Sequence, residues 1–162
     1  MAAPVKNMRT IFPASVDTTV TTTSTSSTDT DAGVRTTAAI TGGTLASVAS
    51  GANVTGFLTM AKSLMLQQVA VNFQSRVRLY STAALRDADA ARPYSVPLIL
   101  GSMHGVICDL YLTTGNLTWI LSPAAEGSNM DDGSANIYFS ITNIDGSTRS
   151  LTVTFTYLTM EI

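Results

Sequence analysis

A single cysteine, a single histidine and a single tryptophan occur in 162 residues, and only 12% of the chain is charged. One cysteine, Cys108, excludes an intrachain disulfide and any multi-cysteine metal site. It sits in the apolar run Val106 to Leu112 and reads as a small core side chain, with no neighbour to lower its pKa. Catalysis by a Ser/His/Asp or Cys/His set would have to pass through His104, whose flanking Gly101 and Gly105 mark a turn between strands instead. No segment approaches the ~20 apolar residues of a membrane-spanning helix. The apolar stretch after the basic start, Ile11 to Ala14, is too short for a signal-peptide core, so the glycosylation patterns at Asn53 and Asn116 carry no weight.

The charged share is about half of the usual ~25%. Nine basic and eleven acidic residues leave a net charge of -2, and no Lys/Arg cluster tracks phosphates, which excludes nucleic acid as a primary partner. The surface is therefore expected to be Thr, Ser, Asn and Gly, with little repulsion to keep it apart from other protein.

What the chain does have falls into two parts. Residues 1–56 are expected to form an extended arm rich in Ser, Thr and Ala, as in Thr18 to Ser27. Thr and Val favour extended backbone, but ordering each residue costs about 1 to 2 kcal/mol, more than these sparse apolar side chains offset. Such an arm calls for a partner to hold it.

Residues 57–162 are expected to form a mainly β domain, an antiparallel β-sandwich with one short helix. Val69, Val71, Phe73, Val77 and Leu79 share one parity and predict one long half-buried strand. Ser81 to Arg92 predicts a short helix capped by Ser81 or Thr82 and stopped by Pro93. Leu98 to Leu100, Val106 to Leu112, Leu117 to Leu121, Ile137 to Thr142 and Leu151 to Leu158 read as further strands. Thr114-Gly115-Asn116 and Asp145-Gly146 supply hairpin signals between them. In the last strand Leu151, Val153, Phe155 and Tyr157 face one way, opposite Thr152, Thr154 and Thr156.

No residue set supplies a credible acid, base, nucleophile or metal site, so the chain is read as no enzyme and without a cofactor. Asp87 and Asp89, two apart on a helix, point apart and read as solvated charges or as local partners of Arg86 and Arg92. Asp29 to Val34 begins like a calcium loop, then lacks its oxygen ligand and its glycine. Glu126, Asn129, Asp131 and Asp132 form an acidic cluster that reads as a solvated loop more readily than as a calcium site. Candidate protein-interaction residues are Arg76, Arg78 and Tyr80 on the polar face of the long strand, with Arg9 and Phe12 in the arm. Internal pairing is the competing reading for the two strand arginines. Trp119 reads as core, with an interface or carbohydrate platform as the alternative.

The stretch Arg76 to Pro93, followed by Leu117 to Pro123 and the Thr-alternating final strand, resembles small β-rich structural proteins of tailed bacteriophages. The resemblance covers roughly Val69 to Leu158 and is most similar to capsid cement, or decoration, proteins. It implies a virion protein, assembled in the host cytoplasm, that binds the major capsid protein or another virion protein, usually as a dimer or trimer. Tail, neck or baseplate components are the alternative that the resemblance leaves open, and a carbohydrate-binding module using Trp119 or nearby tyrosines is a second.

Overall fold

The computed structural model describes residues 19–24, 35–41, 47–98 and 105–161. Its elements are β1 (Thr19–Ser24), β2 (Arg35–Thr41), β3 (Asn53–Thr59), β4 (Ser63–Val71), β5 (Ser75–Tyr80), α1 (Ala83–Ala88), β6 (Val106–Leu112), β7 (Thr118–Ser128), β8 (Asn136–Asn143) and β9 (Thr152–Glu161). The strands form two antiparallel sheets, β1-β2-β9-β4-β7 and β3-β8-β5-β6, and the chain is the β-sandwich its alternation predicts. From β2 to β9 every connection except β5–β6 passes from one sheet to the other. This is the winding of an eight-stranded jelly roll.

Alternation fills the space between the sheets. From β9, Val153, Phe155 and Tyr157 are fully buried, against Leu58, Phe139 and Ile141 of the second sheet. In β4 the inward residues are Leu64, Leu66, Val69 and Val71, a set that a strict period of two cannot supply. A bulge at Gln67, where the register shifts against both neighbours, resets the parity.

Asparagines organise the turns at both ends. Asn72 donates to the Ser150 carbonyl (2.7 Å) and accepts from the Thr152 amide (2.8 Å), tying the β4–β5 turn to the start of β9. Buried Asn143 donates to the carbonyls of Val48 (2.7 Å) and Ser147 (3.0 Å). At the other end Asn129 donates to the Asn136 carbonyl (2.7 Å) and accepts from the Asp131 amide (2.8 Å).

Several expectations are corrected. The long strand through Val69 to Leu79 is two strands in opposite sheets, because Asn72 and the Ser75 hydroxyl, which donates to the Phe73 carbonyl (2.9 Å), bend the chain between them. The turns at Thr114-Gly115-Asn116 and around Asp145-Gly146 reverse the chain as expected, but each joins strands of different sheets. Turn residues set the reversal and leave the pairing open. Leu98 lies outside any strand, and Ile99, Leu100 and His104 lie outside the described residues.

The boundary expected after Gly56 falls inside β3, and β2 pairs along its whole length with β9, burying Ala38. Val48 is buried too and bridges Arg149. Those parts of residues 1–56 belong to the sandwich, because β9, Arg149 and β8 satisfy their backbone groups.

Candidate interaction surface

The second sheet carries a covering layer. Side chains of β5 alternate, with Val77 and Leu79 in the core and Arg76, Arg78 and Tyr80 on the outer face. Residues 81–98 of the β5–β6 connection lie over that face. The connection opens with α1, whose N-cap Thr82 accepts from the Leu85 amide (3.1 Å), as expected of this residue. Arg86 holds the helix down by donating to the Gly56 carbonyl (3.0 Å) and lying over the Tyr138 ring (5.5 Å).

Beyond α1, three arginines and two aspartates close a buried network. Asp109, opposite Arg78 in the β5–β6 ladder, accepts from Arg76 through both carboxylate oxygens and from Arg92 Nη1 at 2.9 Å. Asp89 accepts from Arg92 Nε (2.6 Å) and Nη2 (2.7 Å), and from the Tyr80 hydroxyl (2.6 Å). Arg78, 1% exposed, lies 3.7 Å from Asp89 and 3.6 Å from Asp109 and donates to the carbonyls of Arg92 and Pro93. Burial acts to raise the two carboxyls, but the guanidinium partners outweigh it and hold both below the usual carboxylate range. Burial and the bond to Asp89 push the Tyr80 phenol up.

The network fixes what lies above it. Arg76 Nη1 donates to the Tyr94 carbonyl (2.6 Å), and Arg92 Nη1 donates to the Val96 carbonyl (2.8 Å). Tyr94 and Val96 thus point outward from a backbone tied to buried charges, and both side chains are exposed. Tyr94 stands beside Tyr111 of β6, with ring centroids 6.5 Å apart and planes 24° apart, and Arg76 lies 5.8 Å from the Tyr111 centroid. The result is an exposed aromatic platform on rigid footing.

Of the residues expected to meet a partner, Arg76, Arg78 and Tyr80 are brought together, but beneath the surface, as the internal-pairing reading has it. Arg9 and Phe12 lie outside the described residues. The platform tyrosines and Asp109 were missed. The available signal was Asp109 itself, a carboxylate in the apolar run Val106 to Leu112 at the same parity as Tyr111.

The remaining candidates resolve simply. Cys108 is buried, and burial pushes its thiol up to about 12. Asp87 and Asp89 pair with Arg86 and Arg92 as expected. Asp131 accepts from the Ala83 amide at the start of α1 (2.7 Å), and no cluster with metal-holding composition occurs among the described residues. Trp119 is 42% exposed on edge strand β7, a correction to its core assignment. Its cross-strand partner Val69 faces the core, but among the described residues no strand lies beyond β7 to close over the indole.

The fold and surface define a jelly-roll β-sandwich with a charge-locked covering segment. No protein-family model matches the chain, and no curated protein matches it.

Proposed function

We propose that this chain is a virion structural protein of a tailed phage, a cement protein that stabilises the shell by binding across neighbouring capsid subunits. The observation that supports this reading best is the Tyr94–Tyr111 platform, held by main-chain hydrogen bonds to buried arginines. Tyrosine surfaces make strong interface anchors, and a segment already ordered loses little further freedom on docking. The sparse charge of the chain suits close packing against other protein. Jelly rolls also build viral shells, an analogy at the level of fold that agrees with the sequence resemblance. Repetition over a shell makes a modest affinity at each site sufficient.

The test is to assemble particles with the Tyr94→Ser/Tyr111→Ser chain. They should bind less of it and release their genome at lower temperature than particles with the unaltered chain. Equal occupancy and equal heat stability would count against the proposal. A tail, neck or baseplate station would instead appear as a few copies per particle.

The platform also favours a second reading, a carbohydrate-binding module, since two neighbouring exposed rings offer a face on which a sugar can stack. Binding of purified chain to a glycan array, lost in the same double variant, would support it over the first.

A further inference from the structure

The two sheets differ on their outer faces. Residues 81–98 lie over the outer face of the second sheet, whereas the outward side chains of β2, β9, β4 and β7 in the first are half-buried or exposed. The register assigns that face row by row. One row across β2, β9, β4 and β7 is Arg35, Leu158, Met65, Glu126; the next is Thr37, Thr156, Gln68, Ile120; the third is Ala39, Thr154, Ala70, Thr118. Eight of these side chains are half-buried and none of the twelve is fully buried.

Charge is confined to the two ends of the first row, a cation on β2 and an anion on β7. Neither Arg35 nor Glu126 forms an ion pair among the described residues. The row reads positive, apolar, apolar, negative. A two-fold axis parallel to the strands, in the interface between β9 and β4, exchanges β2 with β7 and β9 with β4. It brings Arg35 over Glu126 of a second copy, and Leu158 over that copy's Met65. Facing sheets pack about 10 Å apart, a gap that an arginine and a glutamate together span. The other nearby charges, Lys62 and Glu161, lie at strand ends beyond the row.

We infer that this face binds a second copy of the chain in an isologous dimer, with two equivalent Arg35–Glu126 pairs flanking its apolar centre. Self-complementarity of one patch is what a two-fold interface requires. Four strands about 4.8 Å apart and three rows about 7 Å apart cover on the order of 400 Å² per copy, about half of a standard interface, so the dimer is reversible. The inference is independent of the virion reading and needs only purified chain.

Sedimentation equilibrium of the full chain tests it. The unaltered protein should show a monomer–dimer equilibrium. Arg35→Glu and Glu126→Arg should each weaken the dimer by about tenfold or more through like-charge juxtaposition, and the double swap should recover most of the loss. Thr154→Arg, near the axis, should abolish the dimer while the thermal transition persists. A chain that stays monomeric at every concentration would overturn the inference and assign the face to another occupant. So would a double swap that restores nothing, since rescue is the result that only paired contact produces.

Discussion

Arg78 and Asp109 stand directly opposite one another on β5 and β6, and both are withdrawn from solvent beneath the chain's own covering segment. Charges so placed are stable only as a set, because each desolvated guanidinium relies on a carboxylate within reach. Asp109 serves Arg76 and Arg92 by hydrogen bonds as well. Asp109→Asn should therefore cost about 3 to 5 kcal/mol in unfolding free energy, measured by urea titration. Amide exchange around Tyr94 and Val96 should speed up more than in the core strands, since their carbonyl anchors loosen first.

Acid should attack the same network. Asp89 and Asp109 have folded pKa values below their unfolded ones, so their contribution is complete above about pH 5 and is lost as pH falls through the depressed folded values. Unfolding free energy should be flat from about pH 5 to 8 and drop below about pH 4. At the alkaline end, burial raises Cys108, Tyr80 and Tyr157, so stability present below about pH 8.5 should decline as pH rises beyond it, first through the thiol and then through the phenols. Calorimetric melts across pH check both limbs, and stability that rises on acidification would contradict the assignment.

Tyr157 is fully buried in the core, and its hydroxyl has no hydrogen-bond partner among the described residues. An unpaired buried hydroxyl opposes folding, so Tyr157→Phe should preserve or raise stability, by about 1 kcal/mol. Phe155→Ala on the same strand should instead cost about 3 to 5 kcal/mol through the cavity it opens. Chemical denaturation of the two variants side by side checks the contrast.

Gly105 closes the covering segment at the entry to β6. Its φ of +95 is a conformation that side chains rarely adopt, and an added Cβ would lie 2.3 Å from Ser81 Oγ. That serine also anchors the turn, donating from both its amide (2.8 Å) and its hydroxyl (2.9 Å) to the Gly105 carbonyl. Gly105→Ala should lower stability by about 1 to 3 kcal/mol in the same denaturation assay.

The limits of sequence reading follow from particular residues. The β9 alternation from Leu151 to Tyr157 was legible because a half-buried strand in a sandwich must alternate. Thr82 and the α1 pairs were legible because caps and near-neighbour charges act locally, whereas the expected stop at Pro93 is corrected: α1 already ends at Ala88, with Asp89 as its C-cap. The break at Asn72 was not, since its cause is a bond to Ser150 and Thr152 far along the chain. For the same reason the sequence could not decide between a partner and internal pairing for Arg76 and Arg78. Their carboxylates come from a helix end and a separate strand, and alternation alone cannot distinguish an outer face that meets solvent from one covered by the chain itself.

The central claim is the station on a phage shell. A cryo-electron-microscopy reconstruction of phage particles assembled in the presence of the chain tests it most directly. The jelly roll should appear in many symmetric copies on the outside of the head, seated across junctions between capsid subunits with Tyr94 and Tyr111 in contact. A head bare of it, or a chain confined to a few copies on the tail axis, would contradict that claim.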